Sequence, residues 1–152
     1  MTVTTPPPLA GISHLGFSVP DLEAAAAFWV DVLGFEVTTR MPGLVFVVHR
    51  AARIAVGLTD HGGQVEGPVT PTRPGLDHLA LAVPGLVELE GWAARLDELG
   101  VDNSGITPTD AGHHLNLHGP DGFPVELFVL SAAAAAGFGL GSADEGFARP
   151  PG

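Results

Sequence analysis

The chain contains an internal repeat, which constrains its fold more than any other feature. The segment GISHLGFSVPDL at residues 11–22 recurs as GLDHLALAVPGL at residues 75–86, with glycine, histidine, proline and leucine at matching positions. The two histidines, His14 and His78, lie 64 residues apart. Self-similarity of this kind indicates two copies of one supersecondary unit, and the open face of each must meet another half-sheet, within the chain or in a second chain.

Each copy begins with a predicted strand and helix. Apolar residues alternate from Ile12 to Val19, which is typical of a half-buried strand, and Pro20 ends it. Asp21 is a good cap for the helix that follows, and Gly34 is a natural stop. The second copy repeats this pattern up to the glycine at position 100.

A hairpin follows in each copy. VFVVH and IAVGLT flank RAAR in the first, and HHLNLH and FPVELFVL flank the turn sequence GPDG in the second. A further strand is predicted at 37–40 and, less regularly, near 101–107. Each copy therefore reads β-α-β-β-β, and the fold class is α+β.

The repeat also predicts the domain organisation. Residues 1–10 form a flexible, proline-rich N-terminus, 11–70 the first module and 71–130 the second. Residues 131–152 are rich in alanine and glycine, which predicts a loose tail that begins as a short helical extension.

The net charge and the composition restrict the classes of partner and the kinds of site that we expect. The net charge is −11, and all six cationic side chains are arginines, so no nucleic-acid partner and no anionic membrane surface is expected. Cysteine is absent, which excludes disulfides and thiolate sites. The N-terminus does not resemble a signal peptide, and no apolar run could span a bilayer. We expect a cytoplasmic protein with a small-molecule substrate.

Side-chain alternation places two histidines and one glutamate on the strand faces that point away from the predicted helices. His14 and His78 lie opposite the large apolar residues of their strands, beside small neighbours. In PVELFVL, Glu126 alternates with residues that face the helix, and an unpaired carboxylate there would be costly to bury. Two imidazoles and one carboxylate predict a divalent-cation site with His14, His78 and Glu126 as ligands.

Further side chains of these faces are candidates for substrate contact or proton transfer. Alternation groups His114 and Asn116 on the strand HHLNLH, and a neutral histidine there can act as acid or base. Ser18 and Phe128 share the faces of His14 and Glu126 and are predicted to bind substrate.

The remaining histidines are assigned lesser roles. Aligning His49 with His118 makes Gly57 the counterpart of Glu126, and both histidines are expected at exposed turn ends. His61, in the loop TDHGGQVEG, is expected at the surface.

These motifs resemble the vicinal-oxygen-chelate superfamily, which includes glyoxalase I, bleomycin-resistance proteins and extradiol dioxygenases. HLGFSVPDLEAAAAFWVDVLGFEV and the ending GPDGFPVELF carry the resemblance, over nearly all of residues 11–130. It implies two βαβββ modules that form a cupped mixed sheet around a metal. It also implies that His14, His78 and Glu126 match three of the family's ligand positions.

A departure from the family pattern bears on the reaction. Glyoxalase I and the epimerases of this family carry a fourth ligand at the position that matches Gly57, where this chain has no side chain. A two-histidine, one-carboxylate set leaves positions open for two vicinal substrate oxygens and dioxygen. This favours an iron(II) dioxygenase-like enzyme. Manganese, nickel, cobalt and zinc are other possible metals. Glu126 is a second candidate base beside His114.

Three other activities stay open at this point. The resemblance also accommodates a glyoxalase-type lyase or isomerase, a fosfomycin-type thiol transferase, and a binding protein that sequesters an antibiotic or metabolite. The chain lacks the tyrosine that dioxygenases and transferases of the family commonly use. A homodimer is expected, with the modules paired either within one chain or between two.

Overall fold

The protein consists of two compact units, divided between Gly67 and Pro68. The structure is a computed structural model and describes residues 6–139. Each unit carries one four-stranded mixed sheet with helices, which confirms the predicted α+β class. No helix of the described residues is both long and apolar enough to cross a membrane.

The first unit follows the predicted order. Its elements are β1 (Leu15–Ser18), α1 (Leu22–Ala27) continuing as a π-helical segment (Phe28–Val32), β2 (Glu36–Met41), β3 (Leu44–His49) and β4 (Ile54–Thr59). The sheet order is β1-β4-β3-β2, with β1 parallel to β4 and the other pairs antiparallel. Asp21 caps α1 as expected, because its Oδ1 accepts a hydrogen bond of 2.9 Å from the amide of Ala24.

An aromatic cluster fills the core of the first unit. Trp29 is buried and contacts the rings of Phe17, Phe28 and Phe35, with centroid distances of 5.7, 6.1 and 4.9 Å. Alternate residues of β3 and β4 are also buried on the helix-covered side, so small and polar residues such as Gly16 and Ser18 are left on the other face.

The second unit repeats this arrangement. Its elements are β5 (Leu79–Ala82), α2 (Leu86–Glu98), β6 (Thr107–Thr109), β7 (Gly112–His118), β8 (Pro124–Leu130) and α3 (Ala132–Gly137). The sheet order is β5-β8-β7-β6. Leucines and valines of α2, β7 and β8 form its core, among them Leu89, Leu96, Leu115, Leu117, Val125 and Leu127. Every second residue of β7 and β8 is thereby directed away from that core.

Two strands are shorter than predicted. The strand expected from Ile12 to Val19 pairs only from Leu15 to Ser18, whose partners in β4 run from Val56 to Thr59. The strand expected near 101–107 forms only at Thr107–Thr109. Ahead of it, Asn103 forms an isolated bridge with Leu117 of β7, and its side chain accepts a hydrogen bond from the amide of Gly105, which makes a local turn before β6.

The register of the two sheets defines which residues are equivalent. Gly16 lies opposite Gly57 in the first unit, and Ala80 lies opposite Glu126 in the second, so Gly57 and Glu126 correspond as predicted. Across β3 and β7, Phe46 and Asn116 occupy the matching positions.

The predicted match of His49 with His118 is wrong by one residue. His49 pairs with Ile54 across a turn of four residues, whereas five residues separate His118 from its partner Pro124. His49 consequently faces the helix side, where its ring lies 5.4 Å from that of Phe35.

The segment after β8 begins as the predicted helical extension. Ser131 caps α3 by accepting a hydrogen bond of 3.1 Å from the amide of Ala134, and Ala135 is buried. Residues 140–152 of the predicted tail and residues 1–5 of the predicted N-terminus lie outside the described residues.

Two glycines of the second unit are expected to respond oppositely to alanine. Gly112 has φ = 146°, and a Cβ there would overlap the carbonyl oxygen of Val129, so we expect Gly112→Ala to lower the free energy of unfolding by roughly 2–4 kcal/mol. Gly91 lies exposed within α2 with open space around its Cβ position, so Gly91→Ala should raise it by about 0.5–1 kcal/mol. Urea unfolding measures both, and equal tolerance of both substitutions would contradict this account of Gly112.

Candidate metal and acid–base site

Glu126 lies at the centre of the candidate site in the second unit. It occupies the middle of β8 between the buried residues Val125 and Leu127, and its own side chain is 14% exposed. Alternation along β8 directs it to the face opposite α2. A carboxylate so placed needs partners, because burial without hydrogen bonds or a counter-charge is costly.

His114 is the first partner of this carboxylate. Its Nδ1 lies 2.7 Å from Oε1 of Glu126. Because an ionised carboxylate only accepts hydrogen bonds, Nδ1 carries the hydrogen in this contact. In the neutral imidazole Nε2 then keeps its lone pair, which is the arrangement that a carboxylate-oriented histidine base requires. The ring of Phe128 packs edge-to-face against the ring of His114, at a centroid distance of 6.1 Å.

His78 lies near the other oxygen of Glu126. Its Nε2 is 3.7 Å from Oε2, and its Nδ1 lies 2.7 Å from Oδ2 of Asp77. By the same reasoning Asp77 fixes the hydrogen on Nδ1. The lone pair of a neutral His78 therefore belongs to Nε2, the atom near Glu126, so two acceptor atoms lie close together with no hydrogen between them.

This pair of acceptors suits a divalent cation. An imidazole nitrogen and a carboxylate oxygen are ligands that iron, manganese, nickel, cobalt and zinc accept, and a carboxylate on the second histidine nitrogen is a common outer partner of metal-bound histidine. Within residues 6–139, no group of three or more histidine and acidic side chains is arranged to hold a metal ion. The predicted third ligand, His14, belongs to the first unit, and its role as a ligand stays a prediction.

His14 has a local setting like that of His78. It is exposed and precedes β1 by one residue, as His78 precedes β5. Its Nδ1 lies 3.1 Å from Oγ of Ser13, the residue that corresponds to Asp77 in the repeat. In both units the side chain of the preceding residue therefore contacts Nδ1 of the histidine, and Nε2 is the ring nitrogen outside that contact.

The predicted substrate-contacting residues divide between the units. Asn116 lies opposite Glu126 in β7 and β8, and Phe128 lies opposite His114, so both share the face of the candidate site. Ser18 ends β1 in the first unit, where its Oγ lies 3.0 Å from Nε2 of His61. The second unit thus brings together His78, His114, Asn116, Glu126 and Phe128.

The first unit has an aromatic ring where the second has these polar groups. Gly57 matches Glu126 by register, and a Cβ at Gly57 would lie 3.0 Å from Cε1 of Phe46. The ring of Phe46 therefore rests against the glycine, and it approaches the ring of His14 with a centroid distance of 6.2 Å. Position 57 thus has no side chain that could bind a metal, and the ring of Phe46 occupies the space beside it.

Sequence reasoning missed the roles of Asp77, Phe46 and His61. The repeat carries a signal for Asp77, because a short polar residue precedes the histidine in both copies. Phe46 could have been found from the register, had the hairpins been aligned with their unequal turns. His61 was expected only at the surface; it is exposed, yet its imidazole contacts a residue 43 positions away.

Comparison with known proteins identifies a family for almost the whole of the two units. Residues 11–127 match the family described as the Glyoxalase/Bleomycin resistance protein/Dioxygenase superfamily. A catechol-2,3-dioxygenase from Bacillus subtilis (strain 168) is 32% identical over 91 residues. That match covers 59% of this chain and only 32% of the length of the dioxygenase.

Solved structures share the fold. A glyoxylase/bleomycin resistance protein/dioxygenase domain from Frankia sp. EAN1pec has a TM-score of 0.69 at 24% identity, covering 86% of this chain and 99% of that one. TnmS3, an antibiotic binding protein from Streptomyces sp. CB03234, has a TM-score of 0.62 at 25% identity, with the same coverage of 86% and 99%.

The Asp77 contact predicts the tautomer of His78. Asp77→Ala removes the acceptor on Nδ1, so the hydrogen should shift toward Nε2, as measured by ¹⁵N NMR of the histidine rings in chelator-treated protein. Asp77→Asn keeps an acceptor oxygen and should largely preserve the Nδ1–H form. Asp102→Ala, which removes an exposed carboxylate from the same unit, is the matched control. An unchanged His78 tautomer in Asp77→Ala would show that Asp77 does not orient the ring.

Proposed function

Because the chain belongs to the Glyoxalase/Bleomycin resistance protein/Dioxygenase superfamily, we propose that it is a divalent-metal-dependent enzyme whose small substrate binds through two vicinal oxygens. The subtype that we propose is an iron(II) dioxygenase-like enzyme. The observation that carries the proposal is the carboxylate of Glu126 between two imidazoles, with Oε1 near His114 and Oε2 near His78.

In this proposal His78 and Glu126 bind the cation. Asp77 keeps the lone pair of His78 on Nε2, and the remaining oxygen of Glu126 stays hydrogen-bonded to His114. His14 is the third proposed ligand, held through Nδ1 by Ser13. A divalent cation at these ligands supplies Lewis-acid polarisation of the two substrate oxygens.

His114 is the proposed general base. Its hydrogen bond to Glu126 orients the ring and leaves Nε2 unprotonated, so that it can accept the proton of a substrate hydroxyl. The side chain is 21% exposed, which keeps it within reach of a small molecule while restricting water. Asn116 and Phe128 are proposed to contact the same substrate.

The dioxygenase subtype is favoured over lyase and transferase by two observations. Gly57 has no side-chain atom that could bind a metal, and Phe46 occupies the space beside it. The first unit therefore contributes no carboxylate at the position equivalent to Glu126. The resulting set of protein ligands leaves open positions on an octahedral metal. The similarity to a catechol-2,3-dioxygenase from Bacillus subtilis, 32% identical over part of its length, supports the same choice.

A second candidate function is the binding of an antibiotic or metabolite without turnover. The similarity to TnmS3, an antibiotic binding protein that is 25% identical, favours it. The two candidates differ in what Glu126 does: a sequestering protein requires neither a cation at His78 nor proton transfer at His114.

Metal binding tests the ligand assignment. Protein purified without chelator should contain iron or manganese in stoichiometric amount by elemental analysis. His78→Ala and Glu126→Ala should weaken metal binding by more than the roughly 10- to 100-fold that follows loss of an outer partner, and His14→Ala tests the third ligand in the same way. His118→Ala, at the exposed end of β7, should retain the metal. Full occupancy in His78→Ala would contradict the proposed site.

Oxygen consumption tests the reaction type. With iron(II) and catechol-type compounds, the wild-type protein should consume dioxygen, and His114→Ala should lower kcat by about 10²- to 10⁴-fold while the metal content is unchanged. No uptake across a broad panel would exclude the dioxygenase subtype and leave the metal site untouched. Tight binding of an aromatic ligand by metal-free protein, with no turnover, would favour sequestration.

A further inference from the structure

A hydroxyl and an imidazole meet on the open face of the first unit. Oγ of Ser18 and Nε2 of His61 are 3.0 Å apart, although the residues are 43 positions apart in the chain. Ser18 is the last residue of β1 and pairs with Thr59 at the end of β4, and both Ser18 and His61 are exposed. The loop after β4 therefore folds back over the strand ends to bring His61 to Ser18.

The backbone of His61 is held in an uncommon conformation for this contact. Its φ is 50°, in the left-handed region that a residue with a Cβ adopts only at a cost. The amide of Gly62 donates a hydrogen bond of 2.8 Å to Oδ1 of Asp60, and the amide of His61 donates one of 3.3 Å to Oγ1 of Thr59. The loop thus stabilises a conformation that places the imidazole over the sheet.

The fold itself does not require this pair. In the second unit, the residue that corresponds to Ser18 is Ala82, and α3 follows β8 in place of the loop that carries His61. The second unit forms the same sheet order without a hydroxyl–imidazole contact at this position. Ser18 and His61 therefore add a chemical property to a scaffold that folds without them.

An apolar surface lies beside the pair. Gly16 is on the same face of β1 as Ser18, and the neighbouring strands place Gly57 and then Phe46 across from it. The ring of Phe46 lies against Gly57 and is only partly buried. A small molecule on this face would meet an aromatic ring and, two residues along the strand, a hydrogen-bonding pair.

We propose that Ser18 and His61 form a subsite on the open face of the first unit that hydrogen-bonds an uncharged oxygen of a small molecule, a hydroxyl or a carbonyl, while Phe46 contacts the apolar body. A serine hydroxyl has one donor and two acceptor positions, so Ser18 can bind the substrate oxygen and still contact His61. The inference rests on the proposed function, because it takes the ligand to be a small molecule with two vicinal oxygens. It gives the first unit a binding surface for the oxygen-bearing substituent of such a molecule.

A matched pair of probes tests the subsite. 4-Ethylcatechol and 4-(hydroxymethyl)catechol have side groups of nearly the same size and differ in one oxygen. We expect the full-length protein to bind the hydroxymethyl compound about two- to tenfold more tightly, the range of one net hydrogen bond. Binding is followed by NMR titration with and without zinc, a diamagnetic cation, and the amide and ring signals of Ser18 and His61 should shift with the hydroxymethyl probe.

Two variants should abolish the preference. Ser18→Ala removes the hydroxyl, and His61→Gly removes the imidazole while tolerating the positive φ, so the loop can keep its course. His118→Ala, which removes an exposed histidine of the second unit, should leave the preference unchanged. The spectrum of each variant without probe shows whether it is folded.

The outcomes separate this inference from the proposed function. Equal affinity for the two probes, shifts confined to other residues, or no binding up to the solubility of the probes would overturn the subsite. Zinc that fails to strengthen the binding of either probe would count against the metal-dependent function instead. A preference that persists in both Ser18→Ala and His61→Gly would assign the hydroxymethyl oxygen to another part of the protein.

Discussion

The carboxylate of Glu126 is the group on which the arrangement of the second unit's open face depends. It projects from a strand whose neighbouring residues are fully buried, so it is largely withdrawn from water and needs stabilising partners. His114 supplies a hydrogen bond to one oxygen, and His78 lies beside the other. Because each imidazole is held by a carboxylate through Nδ1, each keeps Nε2 for further chemistry. One residue thus couples the proposed cation-binding position to the proposed acid–base position.

The two units are similar scaffolds with different open faces. The sheets share their order and register, and both histidine loops use the preceding side chain to hold Nδ1. On the open faces the equivalence ends, because Phe46 and Gly57 stand where the second unit has Asn116 and Glu126. A sheet tolerates such divergence because its stability depends on the buried alternate residues, which are apolar in both units. The face that is free to vary is the one on which the proposed chemistry depends.

The family match supports the scaffold, and the site geometry supports the proposed reaction. Members of one fold support many reactions, so the superfamily match defines the scaffold and leaves the reaction to the side chains. The proposed dioxygenase-like activity therefore depends on His78, His114 and Glu126, and the proposed substituent specificity depends on Ser18 and His61. The two sets lie in different units, which allows each to be altered without the other.

The sequence alone determined the repeat, the βαβββ order of both units and the direction of Glu126 away from the helix-covered face, because these follow from local periodicity and turn chemistry. It could not give the length of β1, which depends on pairing with a strand about 40 residues later, or the alignment of His49, which depends on unequal turns. It also could not give contacts between distant residues. The bond from His61 to Ser18 and the packing of Phe46 on Gly57 join positions whose proximity is decided by strand pairing and loop conformation, and only the tertiary structure contains that information.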